Sequence, residues 1–184
     1  TSVDYTGAAS VTANIVDHPE ATVTIENGQI KVTGLAAGNY TMNITTVPDE
    51  NHTATTKTVN VTVLKAGSLV EIGGIANVTY DAAATVTFNV TNATTVTYIV
   101  KKQDGTVIIQ NTTVDNVNAA DNIITLPVLG AGNYTITIAN AENTNYTGDV
   151  KSANFTVKPA NSTLEINNIT SFSCTTPKSP CCAS

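Results

Sequence analysis

The chain repeats itself at a fixed interval. Gly38-Asn39-Tyr40-Thr41 returns as Gly132-Asn133-Tyr134-Thr135, an offset of 134 − 40 = 94 residues. The same offset superimposes Asn51-His52-Thr53 on Asn145-Tyr146-Thr147, and Asn60-Val61-Thr62-Val63 on Asn154-Phe155-Thr156-Val157. A repeat this long is a domain, so the 184 residues must hold copies of one small fold in tandem. Repetition extends a surface but does not by itself build a catalytic cleft, so it points to reach, display or assembly.

The residues between the matches alternate with period two, which places successive side chains on opposite faces of a strand. Tyr40, Met42 and Ile44 point inward against Thr41, Asn43 and Thr45. Val59/Val61/Val63, Val86/Phe88/Val90 and Tyr134/Ile136/Ile138 read the same way. Such strands are half-buried and antiparallel. Glu26-Asn27-Gly28, Gln103-Asp104-Gly105 and Gly130-Ala131-Gly132-Asn133 supply turns between apolar runs, and no stretch has a convincing helical period. Many short strands with Gly, Asn and Asp turns predict an all-β chain of two β-sandwiches. At about 90 residues each, such domains can bury a core.

The segment Leu35-Ala36-Ala37-Gly38-Asn39-Tyr40 and its copy Leu129-Gly130-Ala131-Gly132-Asn133-Tyr134 look like tyrosine corners. There the Tyr hydroxyl reaches back to a backbone group a few residues upstream. With the Asn-x-Thr that follows and the closing Val/Phe-Thr-Val strand, both halves resemble the immunoglobulin-like repeats of bacterial and archaeal surface proteins. The likeness is nearest to adhesin-like proteins of methanogenic archaea, and it runs from Val3 to about Ile169. It implies two tandem immunoglobulin-like sandwiches, an extracellular, cell-surface location and a structural role without catalysis. His52 stands where an aromatic is usual. The Cys, Trp, Cys pattern of antibodies is absent, so no intersheet disulfide is expected.

Tyr5 matches Tyr80 at an offset of 75, so the second domain is expected to carry 94 − 75 = 19 additional residues, in a hairpin and loop over 101–121. Variable loops carry binding, and this one is the candidate surface for a host, cell or surface ligand; an enlarged edge is the plainer alternative. The opening text of the second repeat, Ser68-Leu69-Val70-Glu71-Ile72, returns as Ser162-Thr163-Leu164-Glu165-Ile166, followed by Ile169. Nothing equivalent precedes Tyr5.

The expected organisation is therefore a first domain over 1–66 lacking its first strand, a second over 67–159, the first strand of a further repeat over 160–172, and a Cys/Pro tail over 173–184. A sandwich short of an edge strand leaves backbone groups unpaired, and an orphan strand has the opposite need. If Leu164, Ile166 and Ile169 of one molecule fill the first domain of the next, the chain forms a head-to-tail homopolymer by strand exchange. A stalk cut from a longer array is the alternative.

The tail holds Cys174, Cys181 and Cys182. One bridge from Cys174 to either of the others leaves a thiol for a second subunit; an inert tail is equally consistent. The chain starts with Thr1, which a cleaved leader or an excised piece explains. Asn-x-Thr sequons are frequent, and Asn43, Asn60, Asn89 and Asn154 fall at outward strand positions where a glycan could stand in solvent.

Other function classes find little support. The net charge is −6 with eight scattered bases, which argues against nucleic acid. No apolar run is long enough for membrane insertion. Two His, sparse carboxylates and the lack of a phosphate loop or His-Glu-x-x-His motif predict no catalytic residues, no metal site and no cofactor.

Overall fold

The computed structural model describes residues 4, 8, 10–117 and 120–166, and these form thirteen strands and no helix. The first repeat contributes β1 (Val11–Ile15), β2 (Thr22–Glu26), β3 (Gln29–Thr33), β4 (Gly38–Thr46) and β5 (Thr56–Val63). The second contributes β6 (Leu69–Ile75), β7 (Val78–Thr79), β8 (Thr85–Thr91), β9 (Thr95–Lys102), β10 (Val107–Asp115), β11 (Asn122–Thr125), β12 (Gly132–Asn140) and β13 (Asp149–Lys158).

In the second repeat a sheet of order β10-β9-β12-β13-β7 faces a sheet of order β11-β8-β6. All pairs are antiparallel except β7 with β13. The chain leaves one sheet after β6 and joins the other at β7. Asn77 holds that crossing, its side-chain oxygen accepting the Thr156 amide at 2.9 Å. This order is that of an immunoglobulin-like sandwich. Its core follows from the period-two pattern: Val86, Phe88 and Val90 of β8 and Tyr134, Ile136 and Ile138 of β12 are buried between the sheets. Tyr134 stacks on Phe155 with ring centroids 5.4 Å apart.

In the first repeat β1-β4-β5 form one sheet and β2-β3 a second. Asn27 and Gly28 both adopt positive φ, 50° and 71°, in the two-residue turn between Glu26 and Gln29. That is the Asn-Gly hairpin whose twist matches its strands.

The register of β1 corrects one expectation, the length of the insertion. Ile15 pairs with Met42, as Val100 of β9 pairs with Ile136, and Met42 is the repeat equivalent of Ile136. β1 therefore stands in the place of β9, at an offset of 100 − 15 = 85. Likewise Ile30 and Val32 on β3 correspond to Ile124 on β11 and Leu126 beyond it. No described strand of the first repeat is the sequence equivalent of β6 or β8, and at the offset of 85 the β8 equivalent falls within residues 1–6, of which only Asp4 is among the described residues. The insertion before the β11 position shrinks from 19 residues to 94 − 85 = 9. Tyr5 and Tyr80 match as isolated letters, whereas pairing is dictated by which face of a strand must be buried.

The described interior of the first repeat is more exposed than that of the second. Among the described hydrophobics of the first repeat only Ile15 and Met42 are buried. Ile30, Val32, Leu35, Ile44, Val61 and Val63 are half-buried, where Ile124, Leu126, Leu129, Ile138, Phe155 and Val157 are buried.

Candidate functional site

Both corner tyrosines close the same loop. Tyr40 donates its hydroxyl to the Ala36 carbonyl at 2.9 Å, and Tyr134 donates to the Gly130 carbonyl at 2.7 Å. Each bond fixes the entry to the strand that leads to the far end of its module, β4 or β12.

The two modules meet through backbone. The Ala66 amide donates to the Asn145 carbonyl and the Thr147 amide donates to the Ala66 carbonyl, both at 2.9 Å, forming a parallel bridge between Ala66 and Tyr146. The Ala37 amide, in the corner loop of the first module, donates to the Asn145 side-chain oxygen at 2.9 Å. Lys65 and Glu142 add an exposed ion pair at 3.6 Å, which contributes little. The loop that receives these contacts is shaped from within. Asn143 accepts the amides of Asn145 and Tyr146 on its side-chain oxygen, each at 2.9 Å.

The first module builds the same loop with an acid. Asp49, equivalent to Asn143, accepts the Asn51 amide at 2.8 Å and the His52 Nδ1 at 2.9 Å. The Asn51 amide, and secondarily His52, hold its carboxyl below the usual aspartate range. Asn145 is the joint residue that sequence reading missed. The repeated Asn51-His52-Thr53 and Asn145-Tyr146-Thr147 carried the signal, but in the sequence they mark only the repeat.

The segment 161–166 forms no strand. Leu164 is 87% exposed and Ile166 74% exposed. Their repeat equivalents at 164 − 94 = 70 and 166 − 94 = 72 behave differently: Val70 is 0% exposed and Ile72 packs against the core. Ile169, Cys174, Cys181 and Cys182 lie outside the described residues. In its own module Val70 is also held by backbone, its amide donating to the Asp149 carboxylate at 2.8 Å. That bond, followed by the Val150 amide, lowers the Asp149 pKa.

Asn60, Asn89 and Asn154 are exposed and Asn43 is half-buried. Asn43 accepts the Thr58 hydroxyl at 2.8 Å and Asn154 accepts the Thr135 hydroxyl at 2.7 Å, while Asn89 accepts the Asp121 amide at 3.1 Å. These bonds use Oδ1, whereas Nδ2 is the atom that carries an N-linked sugar. Within 101–121 the end of β9, a turn and β10 form a hairpin, β10 being the edge strand of its sheet, while residues 118 and 119 lie outside the described residues. A hollow beside it is lined by Lys101, Lys102, Gln103 and Asn133 and contains no carboxylate or His. Among the described residues no three His, Cys, Asp or Glu side chains are placed to share a metal ion, and no helix is long and apolar enough to cross a membrane.

No protein-family model matches the chain, and no curated protein matches it. Among solved structures it is similar to the fibronectin(III)-like modules of Clostridium thermocellum CbhA, at 15% identity and a TM-score of 0.40, over 91% of this chain and 87% of that one. The assignment of the fold rests on the strand order described above.

Proposed function

We propose that this chain is a non-enzymatic structural protein of the cell exterior, of the adhesin-like kind, whose copies join head to tail into a surface fibre by strand donation. The observation that carries the reading is the pair Val70 and Leu164. One repeat position is wholly buried in the second module and 87% exposed beyond it. An apolar segment whose repeat equivalent is a core strand is thus left exposed, and no described strand of the first repeat is that equivalent. β6 packs across its sandwich onto β13 as well as pairing with β8, so a donated segment has β5, the equivalent of β13, to lie against. Burying Leu164 and Ile166 contributes about 1.5–3 kcal/mol each. The oxidising exterior suits the tail cysteines, and glycans at Asn43, Asn60, Asn89 and Asn154 would shield the sheets.

A second reading is a stalk within a longer adhesin, favoured by the observation that the described segment 161–166 forms no strand and lies exposed. Light scattering across a concentration series separates the two. The fibre reading expects mass to grow with concentration for the wild-type chain and a monomer for the Leu164→Asp, Ile166→Asp double variant. A wild-type chain that stays monomeric at every concentration supports the stalk.

A further inference from the structure

Resting on that head-to-tail reading, we infer that the joint between copies reproduces the joint between modules: the Asp49–His52 loop of one copy docks against the Ala131 turn and Ala160 of a second copy. Shifting each residue of the internal joint by 94 gives the contact set. Ala66 becomes Ala160, Ala37 becomes Ala131, and Asn145, Tyr146 and Thr147 become Asn51, His52 and Thr53. The Ala160 amide then donates to the Asn51 carbonyl, the Thr53 amide to the Ala160 carbonyl, and the Ala131 amide to the Asn51 side-chain oxygen.

Three observations carry this. First, the receiving loop of the first module already has the docking shape. The Asp49 amide donates to the His52 carbonyl at 3.1 Å, as the Asn143 amide donates to the Tyr146 carbonyl at 2.9 Å, and Asp49 holds Asn51 as Asn143 holds Asn145. Second, Asn51, His52, Ala131 and Ala160 are all exposed. Third, the substitutions at the flanks are paired. Lys65 and Glu142 form the ion pair of the internal joint, and their shifted equivalents are Pro159 and Pro48. Both charges are replaced together, so the second joint strands neither.

One molecule cannot make this contact with itself. β4 runs nine residues from the corner loop to the 49–52 side, and β12 does the same in the second module. At about 3.3 Å per residue each strand spans roughly 30 Å, so the two docking elements face opposite ends of the chain. The partner that fits is a second copy, and the operator that relates the modules also relates successive copies.

The test uses the full chain with Cys174, Cys181 and Cys182 changed to Ser. In that background Asn51→Cys combined with Ala131→Cys should give a reducible ladder of covalent multimers on oxidation, and either change alone should give none beyond a dimer. In the unmodified background Asn51→Ala should weaken association about fivefold, the effect of one lost hydrogen bond, with its thermal unfolding unchanged. If the wild-type chain associates, Leu164→Asp abolishes this, and the paired cysteines give no ladder while Asn51→Ala leaves association intact, strand donation stands and the joint is overturned. If the wild-type chain never associates, the head-to-tail reading itself falls and takes the joint with it.

Discussion

The Ala37 amide and the Asn145 side-chain oxygen meet at 2.9 Å across 108 positions of sequence. This bond ties the corner loop of one module to the far loop of the next, beside the backbone bridge at Ala66. Asn145→Ala removes it without touching either core. Exposed changes of this kind cost within about 0.5 kcal/mol, so thermal unfolding should stay nearly constant. Solution scattering should nevertheless broaden towards bent conformers of the two modules.

Tyr134→Phe deletes the hydroxyl bonded to Gly130 and keeps the ring that stacks on Phe155. The expected cost is about 1 kcal/mol in urea unfolding of the second module. Tyr40→Phe deletes the matching bond to Ala36 in a half-buried setting, where water can replace it. Its effect on the first module should be smaller.

Asp149 links the acid response to the placement of β6. Its folded-state pKa is lowered, first by the Val70 amide and then by that of Val150. Its contribution is therefore fully present above the unfolded value of about 3.9 and is lost as pH falls through the folded value. Asp149→Asn should destabilise the second module at neutral pH, and the difference from wild type should vanish in strong acid. Thermal melts of both proteins from pH 7 to pH 2 measure this directly.

Gly148 sits where a side chain has no room. A Cβ there would stand 2.7 Å from the Asn140 carbonyl oxygen and 3.0 Å from the Glu142 amide nitrogen, both backbone atoms. Gly148→Ala should cost about 1–3 kcal/mol by forcing the β12–β13 hairpin apart. Amide exchange should accelerate at Asp149, whose amide is held by the Asn140 side chain at 3.0 Å.

Much of the second module was legible because alternation reports burial directly, as at Val86, Phe88 and Val90. The Asn27-Gly28 hairpin was legible from its turn residues. The place of β1 was not. Val11, Ala13 and Ile15 alternate equally well as a β8 or a β9 equivalent, and only the pairing of Ile15 with Met42 decides between them. The joint at Asn145 was hidden for another reason. Its contacts are made by main-chain amides of Ala37 and Ala66, and alanine letters carry no sign of what their backbone bonds.

The central claim is that the strand at Leu164 and Ile166 belongs inside another molecule. The chain contains no Trp, so Ile166→Trp installs a single reporter at a position whose counterpart, Ile72, is only half-buried and can accept a larger ring. The account predicts that its fluorescence shifts to the blue, and that quenching by iodide weakens, as concentration rises and the chains associate. An emission that stays solvent-like and fully quenchable in samples shown by light scattering to be associated would contradict it.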